Sequence, residues 1–208
     1  MSIRTRTAYD PRVPRPTPKA RPSSLQPGDW EEAALGALAT GGPAAVSVEA
    51  IARKLESTKG SFYWHFADRE ALLLAALGRW EARYTERVIA DLERVADPRE
   101  RLERLFLAAA RPFGGSRIHV ALSASTAEPV IAQVLARVSR RRIDYLEACY
   151  RGMGYPPEAA RNQATLAYVA YLGLLHLRVE GPGQLPRGRR LSAYVATMVD
   201  ALIPPERS

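Results

Sequence analysis

Cysteine is almost missing from this chain: Cys149 stands alone among 208 residues. A single thiol excludes an intramolecular disulfide and a cysteine-based zinc site, and it suits a reducing compartment. Cys149 reads as a small buried hydrophobe, with a reactive sensor thiol as the alternative. Lysine is nearly as scarce, since Lys19, Lys54 and Lys59 are the only ones and arginine carries the rest of the basic charge. No apolar run approaches the roughly 18 uncharged residues of a membrane-crossing helix, and no basic-then-apolar signal segment opens the chain. A soluble, cytoplasmic protein with no membrane partner is expected. Strand patterns are nearly absent. So are a strand-turn-helix nucleophile, a glycine-rich phosphate loop and paired histidines at metal-ligand spacing, because His65, His119 and His176 lie far apart. These absences argue against an enzyme and call for no cofactor and no metal.

What is present is unevenly placed positive charge. The formal net charge is +8, and 47% of residues are hydrophobic, enough for a sizeable core. Residues 1–28 hold Arg4, Arg6, Arg12, Arg15, Lys19 and Arg21 against Asp10 alone, in a proline-rich stretch without helical period. That composition predicts a disordered or extended basic arm, free to follow a polyanion or simply solvated. Residues 29–66 are by contrast slightly acidic.

From residue 29 onward the pattern is helical. Asp29 and Glu32 form a capping-box pattern ahead of Leu35 and Leu38, and Gly41-Gly42-Pro43 ends that helix. Ser47 caps a short second helix with Ile51, Ala52 and Leu55 inward. A third follows, with Phe62 and Phe66 four residues apart on one face. Asp68 caps a long fourth helix to about Val95, whose apolar face of Leu72, Leu73, Ala76, Leu77 and Trp80 continues past the small head. A second capping box at Asp97–Glu100 opens a fifth helix, Gly114-Gly115 is expected to loop, and helices over about 117–127, 130–151, 158–179 and 191–202 complete the chain. The fold class is therefore all α with about nine helices: an arm over 1–28, a helix-turn-helix head over 29–75, and a helical body over 76–208.

The ordered set Ile51-Ala52, Gly60-Ser61-Phe62-Tyr63-Trp64-His65-Phe66 and Asp68-Arg69-Glu70-Ala71-Leu72-Leu73 resembles the DNA-binding domain of the TetR family of bacterial repressors. The resemblance covers residues 29 to 80. It implies a sequence-specific transcriptional regulator, a homodimer on a palindromic double-stranded operator, released by a small molecule bound in the body. Lys59 and Ser61 would then read base edges, Thr58 would cap the recognition helix or touch a phosphate, Tyr63 and His65 would donate to phosphates, Trp64 would pack on the sugar-phosphate backbone, Arg69 would reach the phosphate chain, and Ser47 would cap helix 2. The resemblance further implies a pocket among helices 4 to 8. Trp80, Tyr84, Phe106, Phe113, His119, Ser123, Tyr145, Tyr168, Tyr171 and His176 are its candidate lining, suited to an apolar or aromatic ligand. The last two helices, through the face of Ala164, Ala167, Ala170, Tyr171, Leu174 and Leu175 and that of Leu191, Val195, Met198, Val199 and Leu202, would form the dimer interface.

Plainer readings stand beside these. Tyr63 and Trp64 are also compatible with core positions, His65 with a packed histidine, Lys59 and Arg69 with solvated charges, and the small-residue face with packing inside one chain. Family members place Gly then Val where this chain has Glu56-Ser57. A left-handed backbone at Glu56 would cost roughly 1 kcal/mol or more. Together with the acidic first helix, this motivates an alternative: a ligand-binding dimer that keeps the fold and is silent toward DNA.

Overall fold

Capping and proline placement set the helix starts. In the computed structural model, which describes residues 25–109, 114–181 and 183–203, α1 spans Pro27–Gly41. Pro27 occupies the first turn, and the capping box is made by Gln26 and Asp29. The expected Asp29/Glu32 box is therefore displaced by three residues. Glu32 is free to pair elsewhere, because a proline at N1 needs no amide partner and moves the start of the helix toward the arm. The basic arm, apart from residues 25–28, lies outside the described residues.

After a 3₁₀ turn at Pro43–Ala45 come α2 (Val48–Lys54) and α3 (Lys59–Tyr63). The rod α4 starts at Arg69–Glu81, passes through a π-helical turn at Ala82–Glu86, and ends with Arg87–Leu92. The body adds α5 (Pro98–Ala109), α6 (Gly114–Ser123), α7 (Pro129–Gly152), α8 (Pro157–Glu180) and α9 (Arg189–Leu202). Nine helices and no strand appear among the described residues. Gly114 and Gly115 begin α6 instead of looping, and Gly115 is buried.

The turn between α2 and α3 closes as a Schellman motif. Ser57 N–H donates to the Ala52 carbonyl at 2.8 Å, Glu56 N–H donates to that of Arg53 at 3.1 Å, and Glu56 has φ +51°. The left-handed position that glycine fills without penalty is thus held by glutamate. Replacing Glu56 with glycine should raise stability by about 0.5–1 kcal/mol, the steric relief offset in part by a looser unfolded chain. Urea denaturation measures this, and a destabilised Glu56→Gly variant would show that the carboxylate has a compensating contact.

Two buried clusters fill the molecule. The first joins the head to the near part of the body, from Trp30, Leu38, Ile51 and Phe62 through Leu72, Leu77 and Trp80 to Ile118, Leu122, Ile131 and Val138. It crosses residue 76 without a break, because α1 packs on both α4 and α6. The second gathers Ile89, Leu102, Phe106, Leu146, Tyr150, Ala164 and Leu202. Within it the Tyr150 hydroxyl donates to the Leu202 carbonyl at 2.8 Å and ties α9 to α7.

The structure corrects the face assigned to the last helices. Ala164, Ala167, Leu174, Leu175, Val195 and Leu202 are buried within the chain. Leu166, Val169, Gly173 and Leu177 instead form an exposed stripe along α8. The helix is apolar on two faces, and periodicity alone cannot say which one turns inward. No helix among the described residues is long and apolar enough to cross a membrane.

Candidate functional site

The head presents its polar and aromatic side chains around a very short helix. Thr58 caps α3 by accepting from Ser61 N–H at 3.1 Å, and Ser47 caps α2 by accepting from Ala50 N–H at 3.2 Å. Phe62 is fully buried, with its ring centroid 5.4 Å from that of Trp30 and 5.7 Å from that of Phe66. These contacts fix the roll of α3. Regular helix ends at Tyr63, one turn shorter than the sequence suggests, yet Phe66 still points inward because its N–H donates to the Phe62 carbonyl at 3.0 Å.

With both phenylalanines inside, the intervening residues face out. Tyr63 is 60% exposed and Trp64 87% exposed, which removes the reading of either as core. His65 and Ser61 are half-buried at the edge of the same surface. Lys59, at the start of α3, pairs with Glu49 of α2. That carboxylate holds the Lys59 ammonium above its usual pKa, and Lys59 in turn lowers that of Glu49. Both are well exposed, so the pair can open to another anion.

Arg69 is placed differently from its expected role. Its Nε donates to the Val46 carbonyl at 2.7 Å and an Nη to the Pro43 carbonyl at 2.6 Å. The guanidinium thus clasps the segment between α1 and α2 to the start of the rod. The sequence could not reveal this, since the partners are main-chain groups more than twenty residues away.

In the body, a cavity of about 370 Å³ opens beside α4. Tyr84, Phe106, Tyr145, Tyr168 and Tyr171 of the expected lining face it, among apolar walls that include Val88, Ile89, Leu105 and Leu146. The other expected residues that are described do not. Trp80 and His119 are buried against one another with ring centroids 6.0 Å apart. Ser123 Oγ donates to the His119 carbonyl on its own helix. His176 pairs with Glu180 at 3.1 Å, and Phe113 lies outside the described residues. Cys149 is buried in the second cluster, and burial pushes its thiol pKa up, so it is a packing residue rather than a reactive one.

Sequence reasoning missed Arg83, Thr85 and Arg142. The first two come from the π turn, an element with no sequence signature, and Arg142 is one of four arginines within six residues of α7. Arg83 both lines the cavity and donates to Glu32 of α1, at 2.6 Å. With Arg79, 3.0 Å from Glu31 and 3.1 Å from Glu32, it fastens the rod to the first helix of the head. A second, more polar cleft of about 710 Å³ lies between the end of α1 and α6, with Arg178 on its wall. No group of three or more His, Cys, Asp or Glu side chains poised to hold a metal occurs among the described residues.

Residues 32–76 match the family model described as bacterial regulatory proteins, tetR family. No curated protein matches the chain. Among solved structures, it is similar to E. coli NemR in its reduced form, at 19% identity and a TM-score of 0.73 over 87% of this chain and 99% of that one. It is also similar to a transcriptional regulator from Saccharomonospora viridis in complex with choline, at 22% identity and a TM-score of 0.70 over 85% and 94%. A third is AibR in complex with isovaleryl coenzyme A and operator DNA, at 21% identity and a TM-score of 0.63 over 86% and 99%. Residues 32–76 are thus similar to the bacterial regulatory proteins of the tetR family, and the described chain carries the fold of the solved regulators it resembles.

Proposed function

We propose that this chain is a sequence-specific DNA-binding repressor that acts as a homodimer and leaves its operator when a small molecule fills the cavity beside α4. The observation that carries the reading is Trp64. An indole 87% exposed beside a phenol 60% exposed, on a helix anchored by a buried Phe62, is a surface that a duplex backbone would cover. Lys59 and Ser61 at the start of α3 are placed to read base edges, and Tyr63 and His65 to donate to phosphates. Arg69 keeps the head assembled rather than contacting the duplex.

The exposed Leu166, Val169 and Leu177 stripe supports pairing of α8 with its symmetry mate, which sets the separation of the two heads. The neighbour crystallised with both an acyl coenzyme A and operator DNA supports a ligand-linked operator, as does the neighbour holding choline. In this chain the route from ligand to DNA is short. The π turn that walls the cavity belongs to the rod, and Arg83 ties that turn to α1. A ligand that prefers one position of the rod biases the spacing of the heads by its differential affinity.

Selection of bound duplexes from a random pool tests the reading. The full chain should enrich a palindrome. Trp64→Ala should keep its stability within about 0.5 kcal/mol, as expected for an exposed site, yet bind every selected site about tenfold or more weakly. No enrichment by a folded dimer, or unaltered binding by Trp64→Ala, would move the assignment to a DNA-silent ligand binder.

A further inference from the structure

The cavity beside α4 is largely apolar, but two arginines, Arg83 and Arg142, stand on its wall. Arg142 enters from α7. Its Nε donates to Thr85 Oγ1 at 3.0 Å, one Nη to the Tyr171 hydroxyl at 3.3 Å, and the other to the Tyr84 carbonyl at 3.2 Å. The guanidinium carbon lies 5.5 Å from the centre of the Trp80 ring and 5.6 Å from that of Tyr171. Each of these partners is neutral.

Three nearby arginines are different. Arg137 meets Glu81 at 2.6 Å, Arg141 meets Glu86 at 3.2 Å, and Arg83, the other arginine lining the cavity, meets Glu32 at 2.6 Å. Among the described residues no carboxylate pairs with Arg142. A guanidinium cannot shed its proton, and it carries more N–H donors than three acceptors use. A cation partly removed from water with no counter-charge is costly, and a planar carboxylate placed against the remaining N–H groups would offset that cost through charge-assisted bonds. Three residues along α7, on the same face, the ring of Tyr145 lines the cavity, while its hydroxyl is buried beside Cys149.

We infer that the cavity takes a small carboxylic acid as its anion, the carboxylate held by Arg142 and the apolar or aromatic body packed between Phe106 and the tyrosines. The volume is at the small end of the roughly 300–1,000 Å³ that ligand pockets span. The inference rests on reading this cavity as the ligand site, and it narrows the ligand by charge. Amines and quaternary ammonium compounds would add a further cation beside Arg142 and are excluded.

Calorimetric titration of the full chain tests it, using butanoic to decanoic acids and phenylacetic to phenylbutanoic acids, each beside its primary amide and its amine. At least one acid should bind about tenfold or more tightly than its amide, in the range of hydrogen bonds to a charged group. Its amine should not bind. Arg142→Gln, with its fold checked by circular dichroism, should bring acid and amide to equal affinity. Arg142→Lys, which keeps the charge and loses the planar fork, should retain part of the preference and covers the case in which the Gln variant does not fold. Equal affinity of acids and amides for the unaltered chain, or an acid preference that survives in Arg142→Gln, would overturn the charge assignment while leaving the cavity as the ligand site. Binding that is indifferent to Ala167→Phe, which fills the cavity, would overturn the cavity itself as the site. Absence of binding by every acid would overturn the carboxylate.

Discussion

Phe62→Ala should lower the unfolding free energy by about 3–5 kcal/mol and abolish operator binding with it. The side chain is fully buried and touches three aromatic rings, those of Trp30, Tyr63 and Phe66. Truncation removes the transfer free energy of a phenyl group and leaves a cavity that five residues of helix cannot collapse to fill. Aromatic pairs add about 0.5–1.5 kcal/mol each beyond area burial. Loss of Phe62 also frees the roll of α3, so Tyr63 and Trp64 no longer share a face. Guanidinium denaturation followed by tryptophan fluorescence gives the stability. Because the head's core runs into the body's, the transition should stay single. A loss below about 1 kcal/mol would mean that α3 is held by something other than this ring.

A second large effect should appear on acidification. His119 is 3% exposed, with a buried Nδ1 that has no partner. Burial, with the positive charges of Arg142 and His176 nearby, pushes its pKa down to about 3. In the unfolded chain the same imidazole takes up its proton near pH 6.5. Between these values the unfolded chain holds a proton the folded chain lacks. The contribution of His119 is therefore complete above pH 6.5 and is lost as pH falls toward 3, at roughly 1.4 kcal/mol per pH unit and on the order of 5 kcal/mol in all. His119→Leu removes the ionisable group from a site where its Nδ1 made no bond. Its stability measured against pH should fall less steeply than that of the unaltered chain over this window. Parallel curves would show that the histidine rehydrates before the molecule opens.

Much of the head was legible in the sequence because its determinants are local. Ser47, Thr58 and Asp68 cap helices where a polar residue precedes an apolar repeat, and the four-residue spacing of Phe62 and Phe66 places the aromatic surface opposite. The left-handed turn at Glu56 came from the family resemblance, which left open a differently built turn, and its φ of +51° decides between the two. Arg69 was not legible, because its acceptors are distant main-chain carbonyls, and the start of α1 was misplaced because Gln26 and Asp29 compete with an equally good box three residues on. In the body the tyrosines of the cavity were found as aromatics at helical spacing. That spacing could not separate Tyr84 and Tyr145, which face the cavity, from Trp80 and His119, which are sealed behind it. That Arg142 has no carboxylate among the described residues was invisible, since the partners of Arg137 and Arg141 beside it come from another helix.

The π turn at Ala82–Glu86 holds one residue more than an α-helical turn would. Each added residue in a helix swings everything beyond it by about 100°. The bearing between the face that carries Trp64 and the cavity beside α4 is therefore set in part by a single added residue on the rod that joins them. Deleting one residue at this point would re-aim the cavity against that face in one step.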